Sequence, residues 1–281
     1  MSARHAISKT ESWKANIEYH EKLLDSYDKL PHFNKESVDR VKSILRQLAS
    51  RNKNGQLVDI GCGTGFMLRI ARPFFKKIHG VDICRQALKH AGAGDGMSLW
   101  QCSGEHLCFS DNSVDAVAGF SVLHHLYDIE PTLREAYRIL KPGGYVYFDD
   151  EPNGEYFEMI HKLSLQKDLP EIHANEVESI INVEQLLCER DGIEPELVRM
   201  AEFQKLVGGG FKKESIVAQL EKIGFIEVNL QFRWFLGQRA LQQSGERNSI
   251  GIIEKYLLSM LPVTEPLFKY FWVTARKEES N

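Results

Sequence analysis

The chain has 281 residues, 43% of them hydrophobic and 26% charged, with a formal net charge of −4 and an isoelectric point near 6.2. This composition suits a globular protein of one large or two small domains, and it lacks the surplus of Lys and Arg that draws proteins to phosphate backbones. No apolar run approaches the ~20 residues of a membrane span, and the first residues carry no apolar core of signal-peptide type. Neither nucleic acid nor membrane is therefore expected as a partner, and a cytoplasmic location is. The five cysteines, Cys62, Cys84, Cys102, Cys108 and Cys188, form no pair or cluster of zinc spacing and read as reduced thiols.

In chain order, residues 11–50 carry two amphipathic helical patterns broken at Pro31, the second opened by Asn34 as N-cap. Strands are predicted at 56–60, 77–83, 97–102, 114–120 and 145–150. Helices fall between them at 65–75, where Pro73 ends the pattern, at 84–92, where Gly92 stops it, and at 130–140. "KPGG" at 141–144 is a turn signal. Past Glu151 the rhythm changes: 154–210 is helical without strands and ends in the triple glycine 208–210. A helix over 212–224, a long strand over 225–235, a helix around 250–260 and a last strand over 267–276 complete the pattern. Alternating strands and helices predict an α/β fold with a doubly wound, seven-stranded, mostly parallel sheet. The expected organisation is an N-terminal helical segment (1–54), a core (55–153 and 211–281) and a helical insertion (154–210).

"LVDIGCGTGFML" (57–68) joins the first strand to its helix through Gly61, Gly63 and Gly65. Glycines at a helix N-terminus let a ligand approach the main chain closely. The spacing is GxGxG rather than the dinucleotide GxGxxG, and Phe66 stands where the last glycine of that fingerprint belongs. Asp59, two residues before Gly61, would repel a pyrophosphate and suit an ammonium or sulfonium. Asp82, at the end of the second strand, is placed to accept hydrogen bonds from ribose hydroxyls, with a helix cap or turn as its alternative role. The turn thus suits a cationic nucleoside without phosphates.

With "VDIGCGTG" (58–65), "GVDI" (80–83), "SGEHLCFSDNSVDAV" (103–117), "FSVLHHL" (120–126) and "EAYRILKPGGYVYF" (135–148) in order, the chain resembles the class I S-adenosylmethionine-dependent methyltransferases, especially their small-molecule branch. The resemblance implies a Rossmann-like methyltransferase fold with S-adenosylmethionine as cofactor and S-adenosylhomocysteine as product. It implies that Asp59 and the main chain of Gly61, Cys62, Gly63 and Gly65 hold the methionine part. Asp82 would hold the ribose hydroxyls, and Ile83 would pack on the adenine. Gly104 and Glu105 would contact the adenine edge, and Phe120 and Ser121 would lie beside the sulfonium. Ser103 replaces the Asp with which many relatives accept the adenine amino group, a weaker acceptor.

Transfer of an activated methyl group needs alignment and exclusion of water, with a base only where the acceptor arrives protonated. The candidates are His124 and His125 after the fourth strand and Glu151 after the fifth, each with capping or loop packing as its other reading. No metal site is expected. Tyr156, Phe157, Phe203, Phe211, Trp234 and Phe235 are candidates for an acceptor pocket or core. Tyr19 and Tyr27 are candidates to close over the cofactor, and the triple glycine is a lid hinge or a connection needing positive φ. An [N/D/S]PP[Y/F/W] element or a Pro-Cys nucleophile would mark nucleic-acid methylation, and "FSVLHH" stands there instead. The sequence favours a small organic acceptor, the alternatives being a cofactor-binding protein without transfer activity or, disfavoured by Phe66 and the glycine spacing, an NAD-linked oxidoreductase.

Overall fold

The computed structural model describes residues 7–27, 33–50 and 55–279; the expected break at Pro31 lies outside them. Helix α1 (Lys9–Tyr27) leads into α2 (Lys35–Ala49), where the Asn34 side chain accepts from the Ser37 amide as an N-cap. Strand β1 (Gln56–Ile60), helix α3 (Phe66–Ala71), β2 (Lys77–Asp82), α4 (Arg85–Ala91), β3 (Met97–Gln101), β4 (Val114–Phe120), α5 (Glu130–Ile139) and β5 (Leu140–Pro152) follow. Helix α3 ends at Ala71; Arg72 keeps helical backbone, and Pro73, which has no N–H to donate, cannot continue the hydrogen-bond ladder. The expected turn at 141–144 is instead an irregularity inside β5. Leu140 pairs with Val114 and Tyr145 with Ala116, and the extra residues loop out through Gly143 at a φ of 76°.

Next come α6 (Gly154–Ser164), α7 (Glu171–Ile181), α8 (Val183–Asp191), α9 (Pro195–Ala201) and a π turn at Phe203–Val207. Helix α10 (Lys213–Ile223), β6 (Phe225–Phe235), α11 (Gln238–Gln243), α12 (Arg247–Ser259) and β7 (Phe268–Lys277) end the described chain. The short α11 has no counterpart in the sequence reading.

The sheet order is β3-β2-β1-β4-β5-β7-β6, with β7 antiparallel to both of its neighbours and the other pairs parallel. Alternation along β1 sends Val58 and Ile60 into a core with α5 and α10, and Leu57 into another with α2 and α3. The chain reverses its winding between β1 and β4, so their carboxyl ends open a crevice.

A third core lies outside the sheet. Ala15, Tyr19 and Leu23 of α1 pack on Ile193 and on Leu197, Val198 and Ala201 of α9. The N-terminal segment and the 154–210 region are therefore bound to each other over the crevice. The triple glycine makes a close crossing: a Cβ on Gly210 would stand 2.9 Å from Gly154 backbone, and Gly209 and Gly210 have φ of 77° and 86°. That geometry matches a connection needing positive φ.

Candidate functional site

A small cavity lies where β1, β2 and β4 end. Gly61, Gly63, Asp82, Ile83, Ser103, Gly104 and Ser121 of the sequence-derived set line it, and His125 stands in its wall. Trp13, Asn16, His20 and Tyr27 of α1 close it from above. Their spacing of three, four and seven residues puts them on one helix face, a signal present in the sequence but read only at Tyr27. Tyr19 faces elsewhere, its hydroxyl 3.2 Å from Glu202.

The glycine turn is held by its own hydrogen bonds. The Cys62 amide donates to Val81, that of Gly63 to Asp82 Oδ2 at 2.8 Å, and that of Gly65 to Cys62. These amides are engaged within the protein, which corrects the expectation that they are open to a ligand. Gly61 is required by a neighbour: at a φ of 66°, a Cβ there would lie 2.3 Å from Val122 Cγ2. Phe66, which stands at the last glycine position of the dinucleotide fingerprint, turns into the core. It is buried against Phe33 and Phe120, with ring centroids 4.7 and 4.8 Å away, rather than standing over a ligand position.

Asp59 is 1% exposed, does not line the cavity, and neither carboxylate oxygen has a hydrogen-bond partner among the described residues. Burial, reinforced by the nearby Asp82 charge, pushes its pKa well above the ordinary range. Asp82 fills the turn role foreseen as its alternative and also lines the cavity. It accepts from the Gly63 and Cys84 amides, each at 2.8 Å, and faces the cavity. Burial raises its pKa, and those amides and His20 pull the other way. Ser103 Oγ already accepts from the Glu105 amide at 3.1 Å. Glu105 itself is buried and paired with Lys9 of α1 rather than lining the cavity. Cys62, Gly65 and Phe120 likewise sit behind the wall.

The three candidate bases separate sharply. Glu151 is fully buried and accepts from the Val122, Leu123 and His124 amides and from His124 Nδ1 at 2.8–3.1 Å. Those donors form the 3-10 turn Leu123–His125, so Glu151 positions the turn and is withdrawn from the cavity. His124 is tied to it and also lies behind the wall. His125 alone faces the cavity, with Nδ1 2.9 Å from the Ala201 main-chain oxygen. Burial, then the neighbouring His124 and His20, drive its pKa well below the ordinary histidine value. A carbonyl only accepts, so Nδ1 carries the single ring proton of a neutral imidazole and Nε2 keeps its lone pair.

One cluster was invisible in the sequence. His124, His125 and Glu202 bring one potential ligand atom each within 4.8 Å of one another. The cluster forms because the π turn packs on the Leu123–His125 turn, which brings together residues 77 apart in sequence (202 − 125). Lys205 and the Tyr19 hydroxyl already bind the Glu202 carboxylate. Burial alone would raise its pKa, but the Lys205 ammonium holds it well below the ordinary range.

Of the aromatic candidates, Phe211 and Phe235 belong to the core, Tyr156 is buried on Glu176, and Phe203 packs on Tyr127. Only Phe157 lines a second, larger cavity.

Residues 58–148 match the methyltransferase domain family model. The chain is 24% identical over 185 residues to a sterol 4-C-methyltransferase of Caenorhabditis elegans, covering 58% of this chain and 55% of that protein. It is 33% identical over 122 residues to a probable tRNA methyltransferase 9B of Mus musculus, covering 40% and 26%. The chain thus spans about half, or less, of the curated relatives it matches. Its fold resembles an S-adenosylmethionine-dependent methyltransferase from Thermotoga maritima described as a possible histamine N-methyltransferase, with a TM-score of 0.53 at 19% identity, covering 95% of this chain and 100% of that one. From its ordered motifs, the sheet that carries them and the matched model, residues 58–148 form a methyltransferase domain of the kind that uses S-adenosylmethionine.

Proposed function

We infer that this protein moves the methyl group of S-adenosylmethionine to a small organic acceptor by in-line displacement, and that His125 receives the acceptor's proton. The observation that carries the reading is the neutral His125 in the wall of the cavity that Gly61, Asp82 and Gly104 also line. Asp59 supports the fit to this cofactor, since a buried carboxyl with both oxygens unpartnered, two residues from the glycine turn, suits a cationic ligand. Gly61 and Gly63 would lie against the methionine part with the Asp59 carboxyl behind them, Asp82 would face the ribose, and Ile83, Ser103 and Gly104 the adenine, with Ser121 near the sulfur. The bound cofactor supplies an electrophilic methyl on a positively charged sulfur.

The chain's own residues do the rest. Glu151 fixes the turn that presents His125, and Ala201 fixes its tautomer. Asn16 of α1 donates to the His125 carbonyl at 2.9 Å, so the helix over the cavity is tied to the base and shields it from water. The 154–210 region contributes the acceptor side. The net charge of −4 and the closed, α1-covered cavity favour a small acceptor over tRNA.

Incubation with methyl-labelled cofactor and separate panels of organic acids, phenols, amines and tRNA tests this reading. Label is expected in an organic product and is expected to fall roughly 100-fold or more in His125→Gln, with S-adenosylhomocysteine binding retained. Label in tRNA alone, or full transfer by His125→Gln, would overturn it.

A further inference from the structure

The second cavity, of about 700 Å³, lies among α6, α7, α8, the π turn, α11 and β7, within the size range of sites for small organic ligands. Its walls are chemically two-sided. Phe157, Ile160, Ile180, Leu187 and Leu206 give it an apolar body. Around this stand four cations, Arg190, Lys205, Arg239 and Lys269, against one acid, Glu189.

The cations are not all neutralised. Arg190 pairs with Asp191, and Lys205 with Glu202. Arg239 and Lys269 have no carboxylate partner among the described residues. The Lys269 ammonium lies 5.2 Å from the Tyr270 ring centroid. Burial pushes the Tyr270 phenol up, yet Lys269, Lys205 and Arg233 together bring it below its ordinary value. That reversal reports a surplus of positive potential at this end of the cavity.

The cavity also has a defined relation to His125. Lys205 lines it and is bound to Glu202, and Glu202 sits in the cluster with His124 and His125. The Lys205–Glu202 pair therefore forms the partition between this chamber and the one lined by the glycine turn.

We propose that this cavity is the acceptor chamber and that its occupant is an amphiphilic anion: an apolar body lying on α6, α7 and α8, with a carboxylate or phosphate held by Arg239 and Lys269. This rests on the methyltransferase reading given above. An anion arriving beside Lys205 competes with Glu202 for its ammonium and so loosens the partition on the side of His125.

Calorimetry on the full chain with dodecanoate, dodecyl phosphate, 1-dodecanol and dodecyltrimethylammonium, each below its aggregation concentration, tests the proposal. One or both anions should bind at least tenfold tighter than the alcohol, the cation should not bind, and preference between the two anions identifies the headgroup. The double variant Arg239→Gln/Lys269→Gln should lose tenfold or more for the anion while binding S-adenosylhomocysteine as the native chain does. Equal binding of alcohol and anion, or no binding of either anion by protein that binds S-adenosylhomocysteine, would overturn the anionic-acceptor proposal alone. Loss of S-adenosylhomocysteine binding in the native chain would instead overturn the underlying methyltransferase reading.

Discussion

The Nδ1 atom of His125 lies 2.9 Å from the main-chain oxygen of Ala201, and this bond sets the chemistry of the ring. Ala201 belongs to α9, whereas His125 follows β4. The tautomer of the candidate base is thus fixed by a helix from outside the sheet core. The same helix packs on α1, which covers the cavity, so candidate base, cover and the 154–210 region are mechanically joined.

The depressed pKa of His125 has a consequence for stability. Near pH 8 the ring is neutral folded and unfolded, and it contributes no pH dependence. As pH falls through the unfolded value of about 6.5, the unfolded chain takes up a proton that the buried ring refuses, and stability drops. The slope from this group approaches ~1.4 kcal/mol per pH unit and levels off below the folded pKa. Urea midpoints for the native chain and His125→Gln should therefore diverge on acidification, with the variant losing less. Parallel curves would contradict a neutral buried His125.

Glu151 is expected to be a stability residue more than a binding one. Glu151→Gln replaces an acceptor of four donors by an amide that presents its own N–H groups. A loss of about 1.5–3 kcal/mol, the range for hydrogen bonds to charged groups, should appear in urea unfolding. Rate measurements should show kcat falling through displacement of His125, with its pH profile altered. A variant as stable as the native chain would argue against the clamp.

Asp82→Ala should weaken S-adenosylhomocysteine by ~1–3 kcal/mol, from loss of its hydrogen bonds to the ligand. The Gly63 and Cys84 amides lose their acceptor as well. Calorimetry that gave unchanged affinity would remove Asp82 from the ribose role.

The space under α1 is about 70 Å³, well below the roughly 300–1,000 Å³ of ordinary small-molecule sites. Helix α1 must therefore shift to admit an adenosyl ligand. Hydrogen exchange should report this, with amides of 9–27 slowed roughly tenfold or more by S-adenosylhomocysteine. Unchanged exchange there would mean that α1 is a fixed wall.

The sheet was legible because its signals are local. The continuous apolar run of β1, the Asn34 cap, the Pro73 stop and the glycine turn each act over a few residues. The cavity lining from Gly61 to Ser121 followed from the same motifs. What escaped the sequence is long-range. The α1 face over the cavity, the approach of Glu202 to the histidines and the Lys205 partition all arise from packing between α1 and α9. The separation of His125 from His124 and Glu151 was hidden too, because neighbours in one turn differ only in where the fold points them. Phe66 shows a further limit: its motif position was legible as a departure from the dinucleotide fingerprint, but its packing on Phe33 and Phe120 in the core was not.

The most direct test is titration calorimetry of the purified chain with S-adenosylhomocysteine and, separately, with NAD. Stoichiometric binding of S-adenosylhomocysteine with no heat from NAD is expected from the GxGxG spacing of the turn. Binding of NAD without S-adenosylhomocysteine would contradict the assignment of this cavity.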